Sequence, residues 1–452
     1  MNALRLAHPS ALGLSLSLLV GCVGDDGTGD SATSNITSNT SSASASTTSA
    51  SAGTAGTTAG TAGTAGTAGT TTAGTTGDPT AFEGIDLLFV IDNSGSMAEE
   101  QAKIAAAIPA LVDPLSAAGV SVRVAVTTTD NGNPRCPKAD TTPEAGALVP
   151  SSCLDRVAEG DFLFKGVDPP LDASDACTAR CGLSSAAIGN VEPWIEFKGA
   201  TTNLADGVSV SAALQCLLPQ GISGCGYESP LESMHKALLR AEMPSEPSFG
   251  FLRPGAILAV VLFTDETDCS YVESQKEIFI DNKVFWNDPS DPIPTSAVCW
   301  RAGVTCQGSG PVYADCEPDN HDLSGAGGAS DAVAVLQPLA RYLDRLASIR
   351  DQKTQLLGVP GVQVHMIAGV PPGYASPADA VYEDADDPIA QGDFGIGPAC
   401  VSADGYGIPA VRGRVVAETV ASGTYTAMRS ICAPNFDADL AGIADSILAG
   451  IP

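Results

Sequence analysis

Two apolar runs of strand length stand out along the chain, residues 85–91 (IDLLFVI) and Ala256–Phe263 (AILAVVLF). Runs that do not alternate with polar residues predict strands covered on both faces, as in a parallel sheet. Residues 120–128 (VSVRVAVTT) alternate and predict a further strand, as do 362–370 (VQVHMIAGV) and 427–432. Between them the apolar positions recur at helical spacing. Ile104, Ile108, Leu111, Val112 and Leu115 follow Ala98, and Leu231, Met234, Leu238 and Leu239 mark a second helix. Val333, Leu336, Leu339, Tyr342, Leu343 and Leu346 predict a third over 331–350, with others over 203–217 and 437–448. Ser96 and Glu99 form a capping-box pattern, and Ser229-Pro230-Leu231-Glu232 carries an N-cap, a first-position proline and an acidic residue. Pro109 and Pro114 are expected to kink or shorten the first helix.

Strands alternating with helices predict an α/β fold, a Rossmann-like doubly wound, mostly parallel sheet. Two stretches interrupt the alternation, at about 130–200 and 268–330, and both read as loop-rich, cysteine-bearing insertions. The folded domain is thus expected over 81–452. Ahead of it, residues 1–22 read as a secretory signal, with Arg5, an apolar run and the ending Leu19-Val20-Gly21-Cys22. That ending looks like a bacterial lipoprotein box with Cys22 as the lipidated residue. Residues 23–80 are almost entirely Gly, Ser, Thr and Ala and bury nothing, so a disordered tether with a mean span of about 40 Å is expected. No apolar run is long enough for a transmembrane helix.

Charge narrows the partners. With 52 acidic against 22 basic residues the net charge is −30, which excludes a nucleic-acid surface. Setting Cys22 aside leaves twelve of the thirteen cysteines, an even number suited to disulfides in an oxidising envelope. Spacing suggests the local pairs Cys177–Cys181, Cys216–Cys225 and Cys299–Cys306, with zinc a weaker alternative at Cys177 and Cys181.

The first apolar run ends in Asp92-Asn93-Ser94-Gly95-Ser96, a carboxylate and two hydroxyls at alternate positions. These are hard oxygen ligands suited to Mg²⁺ or Ca²⁺. Gly95 is expected to let the backbone turn both hydroxyls inward. The second run ends in Thr264-Asp265. In open parallel sheets, ligands bind beyond the carboxyl ends of the strands, near the switch in strand order.

D-x-S-x-S between a strand and a helix resembles the metal-ion-dependent adhesion site of von Willebrand factor A-type (VWA) domains. The resemblance spans about 82–450 and is tightest at 85–100, 224–240 and 256–269. It implies a VWA fold in which Ser94 and Ser96 bind the cation directly, and Asp92 and Asp265 bind it directly or through water. A partner's Asp or Glu carboxylate would fill the open position. The family's pattern has a Thr in the second loop, where this chain has Glu228; Thr202, before Asn203, is a rival for that place. Glu228 as a metal ligand adds negative charge and favours Ca²⁺. The lipobox, the tether and the Gly-Cys-Gly-Tyr-Glu and Phe-Thr-Asp-Glu-Thr-Asp-Cys segments resemble VWA lipoproteins of bacteria such as myxobacteria. The implied protein is no enzyme but a protein-binding adhesion module, anchored by lipid in the outer membrane or at the cell surface. The residues agree: there are four His and no G-x-S-x-G elbow, H-E-x-x-H helix or P-loop. A structural envelope component with a vestigial metal site, and a metal-dependent hydrolase, are the alternatives.

Overall fold

A computed structural model describes residues 82–136, 141–166, 169–190 and 192–452. The signal segment, Cys22 and the tether lie outside the described residues. The centre is a seven-stranded sheet: β1 (Gly84–Ile91), β2 (Val122–Thr128), β3 (Ile195–Lys198), β4 (Thr201–Thr202), β5 (Ala256–Phe263), β6 (Val362–Ala368) and β7 (Met428–Ser430). Their order across the sheet is β7-β6-β5-β1-β2-β3-β4. The strands from β2 to β7 in that row pair in parallel, and β3 and β4 add an antiparallel edge beside β2. This is the doubly wound, mostly parallel α/β architecture that the alternation predicts.

The apolar runs are explained by two cores. Along β1, Ile85, Leu87, Phe89 and Ile91 enter one, and Leu88 and Val90 the other. β5 divides likewise, Ala259, Val261 and Phe263 against Leu258, Val260 and Leu262. Helices α1 (Ala98–Ala117), α2 (Val210–Leu217) and α6 (Asp437–Ala449) cover the first face. Helices α3 (Pro230–Arg240), α4 (Ala340–Leu357) and α5 (Val411–Ala421) cover the second. A strand buried on both faces has no polar positions to alternate. No described helix is long and apolar enough to cross a membrane.

Several local expectations are corrected. Ser96 and Glu99 do not form a capping box: Met97 occupies the cap position of α1 with no side-chain cap bond. The helix also runs through Pro109 and Pro114 without ending. In α3, Leu231, Met234 and Leu238 are buried, but Leu239 is exposed. The helix predicted over 203–217 begins only at Val210, capped by Ser209, because the Asn203 side chain is engaged by Glu196 and Trp194 in the β3–β4 hairpin. The helix predicted over 331–350 starts at Ala340. Before it the chain turns at 331–333 and then runs on, Val335 bonding His321 and Gln337 bonding Ser270, and Pro338 disfavours helix in the residue preceding it. Helix α5 follows a third insertion, 369–410, that the patterning does not predict.

All twelve cysteines from Cys136 onward are paired, as Cys136–Cys225, Cys153–Cys177, Cys181–Cys216, Cys269–Cys299, Cys306–Cys316 and Cys400–Cys432. None of the three local pairs suggested by spacing forms. Cys177 and Cys181 sit one helical turn apart, and each turns to a different segment. Among the described residues, one trio of His, Cys, Asp or Glu ligand atoms lies within 4.8 Å of one another, Cys153, Cys177 and Cys181. Their sulfurs are committed to disulfides, which removes the zinc alternative.

Candidate functional site

The order of strands switches between β1 and β5, which are neighbours yet continue to opposite edges. Register then decides what meets at their carboxyl ends. Ile91 lies beside Thr128 of β2 and Phe263 of β5, so the next residues, Asp92, Thr129 and Thr264, stand side by side. Asp92 is fully buried; its Oδ1 accepts from the Ser94 amide at 2.8 Å and its Oδ2 from the Thr264 hydroxyl at 2.5 Å. Ser94 Oγ and Ser96 Oγ are 3.3 Å apart. Ser96, freed from capping, also hydrogen-bonds the Asp265 carboxylate.

Gly95 lies between the Ser94 and Ser96 hydroxyls without a left-handed φ, and a Cβ there would lie 2.7 Å from the Phe164 ring, which packs over the loop. The loop is further held by Gln101. The Gln101 amide nitrogen donates to the carbonyls of Asp92 and Gly221, both at 2.8 Å, and its oxygen accepts from the amides of Gln220 and Gly221. The Gly224 amide donates to Asn93 O at 2.8 Å, so the second loop is stitched onto the first.

Glu228, at the end of that second loop, is buried to 0% exposure. Its Oε2 accepts from the Thr129 hydroxyl, and its Oε1 has no partner. Thr202 is not brought to the site. It pairs with Phe197, which faces Val122 at the start of β2, at the opposite end of the sheet. Asp265 is 8% exposed and its Oδ1 is enclosed without a partner. Asp92, Ser94, Ser96, Glu228 and Asp265 are therefore gathered at one end of the sheet. Glu266, buried beside them, joins the group.

The electrostatics follow from burial. Desolvation pushes the Asp265 carboxyl well above the usual range, and the nearby Asp92 and Glu100 push it further, against the Ser96 hydrogen bond. Glu228 is raised for the same first reason, then by Asp92. Burial also raises Asp92, opposed by the Thr264 and Ser94 bonds. No ion pair among the described residues involves Asp92, Glu228, Asp265 or Glu266.

Buried carboxylates with unpartnered oxygens and no basic neighbour fit a divalent cation, since a bound charge of +2 removes the repulsion that raises them. The hydroxyls matter, because the carboxylates do not form a compact trio by themselves. Sequence reading missed Thr129, Thr264, Gln101 and Glu266. The threonines had one signal, the alignment of three strand ends, which requires the register. Gln101 had none.

No protein-family model matches the chain, and no curated protein matches it. Among solved structures, the vWF domain of the type V pili tip protein Mfa5 from Porphyromonas gingivalis matches with a TM-score of 0.32 at 12% identity. The match covers 82% of this chain and 97% of that one. Likeness at that level carries no argument about the function of this chain.

Proposed function

We propose that the chain is a metal-dependent protein-binding module of the bacterial envelope, in which a divalent cation, Mg²⁺ or Ca²⁺, is held by Asp92, Ser94, Ser96, Asp265 and Glu228. One observation carries the reading. At the switch point of the sheet, the Asp265 Oδ1 and Glu228 Oε1 oxygens are enclosed without partners, facing no ion-paired base. Leaving buried polar atoms unpaired costs about 1–3 kcal/mol each, more when charged, and a hard cation supplies the missing partner. A partner's Asp or Glu carboxylate completes the sphere, and the reading has no role for catalysis. The lipid anchor at Cys22 and the tether hold the domain at the outer membrane or cell surface. Chelator-sensitive capture is the test. Full-length chain on beads is incubated with envelope extract, with Mg²⁺ and Ca²⁺ or with chelator. Partners lost with chelator and with Ser94→Ala support the module; capture unchanged by both contradicts it.

The burial of Asp92, Ser94 and Glu228 favours a second reading, in which the cation braces the loops of a structural envelope protein. There, cations raise the melting temperature but no capture depends on them.

A further inference from the structure

Three charged side chains meet beside the cation loop and take no part in holding the ion. Lys103 lies three residues after Glu100 in α1, and its ammonium is 3.5 Å from Glu100 Oε1. The same nitrogen is 3.0 Å from Asp404 Oδ2. Asp404 sits in the turn of a small hairpin that pairs Cys400 with Gly407 and Val401 with Tyr406. The Lys103 nitrogen is enclosed and makes no hydrogen bond of ordinary geometry. It lies 5.9 Å over the ring of Phe436, which is fully buried. Glu100 is buried too, and its Oε2 is enclosed without a hydrogen-bond partner. The hairpin closes on this carboxyl, since a Cβ on Gly405 would lie 3.7 Å from Glu100 Oε1.

A solvated ammonium and carboxylate remain a simple ion pair. Here the nitrogen is shut away from water beside an aromatic ring, and a second carboxyl stands within reach of its protons. Burial raises the Glu100 carboxyl to about 7, with Lys103 opposing, so it can take up and return a proton near neutral pH. The nitrogen already touches an oxygen of the other carboxyl. Reactants held at about 3–3.5 Å gain effective concentrations of about 10⁵–10⁸ M, enough to favour a condensation that dilute partners do not undergo. The Asp404 side chain is 43% exposed, which leaves a path for a departing water.

We propose that Lys103 and Asp404 are joined by an intramolecular isopeptide bond, with Glu100 as the proton relay. Glu100 takes a proton from the Lys103 ammonium, and the free amine attacks the Asp404 carboxyl carbon. One N–C bond forms and one C–O bond breaks. Two of the three ammonium protons pass through Glu100 to the leaving oxygen, which departs as water, and the third remains on the amide nitrogen. One positive and one negative charge disappear together, and no oxidant or reductant is consumed. The bond fixes the hairpin to α1 on one side, where Cys400–Cys432 fixes it on another. Just past the hairpin, the Ile408 amide donates to the Asp265 carbonyl at 2.7 Å, so the locked segment borders the cation loop.

The test is a mass measurement. The full chain is held at neutral pH in chelator, then reduced, digested and read by mass spectrometry. The expected product is one branched peptide that carries residues 103 and 404 and is lighter than its two parts by one water. Asp404→Ala is expected to return the two peptides unjoined. Glu100→Gln is expected to slow the joining by about 10²–10⁴-fold, the usual worth of a positioned acid–base group. Two separate peptides from the native chain overturn the assignment, whatever the variants do. A branch that persists in Asp404→Ala overturns the pair, and one that forms equally fast in Glu100→Gln overturns the relay. The readout is covalent and taken in chelator, so its failure leaves the cation-dependent capture untouched and the two readings fail separately.

Discussion

At Gly95 the missing side chain makes room for the Phe164 ring, which closes over the D-x-S-x-S loop. Gly95→Ala is expected to cost about 1–3 kcal/mol, the usual range for overpacking, read as a lower urea midpoint. Phe164→Ala in the same chain should recover part of that loss. A second residue sets a pH response. His365, buried in mid-strand β6, has Nδ1 facing Arg429 Nη1 at 3.3 Å and Nε2 facing Gln363 Oε1 at 3.0 Å. Arginine can only donate, so Nδ1 accepts and Nε2 carries the proton of a neutral ring. Burial, and then the charge of Arg429, lower the His365 pKa to about 3 from 6.5. The unfolded chain thus binds more protons between those values, and stability is full above about 6.5 and falls as pH drops toward 3. In His365→Gln this part of the acid slope, measured by urea melts from pH 7 to 4, should be smaller.

Legibility differed by element. β1 and β5 were readable because burial on both faces strips a strand of polar positions, and their carboxyl ends then located Asp92 and Asp265. The buried face of α1 was readable from helical spacing, with Ile104, Ile108, Leu111, Val112 and Leu115 all buried. The start of α4 was not, since Val333 and Leu336 fit a helical period by accident: Val333 closes a turn on Ser330 and Leu336 bridges distant Tyr271. Ser96 misled as a cap because a short hydroxyl serves a helix end and an ion site through the same atoms. The disulfides were illegible: Cys136–Cys225 joins residues 89 apart, a contact that only the assembled insertions create. Between elements, the Arg412–Asp268 pair is the one to break. Both side chains are 1% exposed, and the pair joins α5 to the loop that carries Asp265. Asp268→Asn leaves a buried charge without its counter-ion and should cost about 3–5 kcal/mol in thermal or urea unfolding.

For the whole molecule, the insertions after β2, β5 and β6 are tied down by disulfides whose sulfurs pack into the hydrophobic clusters, Cys153, Cys177, Cys181, Cys216, Cys400 and Cys432 in the first core itself. In a chain of net charge −30, the buried carboxylates Asp92, Glu228, Asp265 and Glu266 gather at the carboxyl end of the sheet, and none of them is in an ion pair with a described residue. The account stands on a cation at that place. Its most direct test is titration of Ca²⁺ and of Mg²⁺ into the chelator-treated full chain, with heat and melting temperature read together. The account predicts saturable binding in the range ~10⁻⁶–10⁻³ M. It also predicts a stabilisation of about 2.7 kcal/mol at a hundredfold excess over Kd, both abolished in Asp265→Asn. Absence of heat and an unmoved melting temperature with both ions, or binding unchanged in Asp265→Asn, would contradict it.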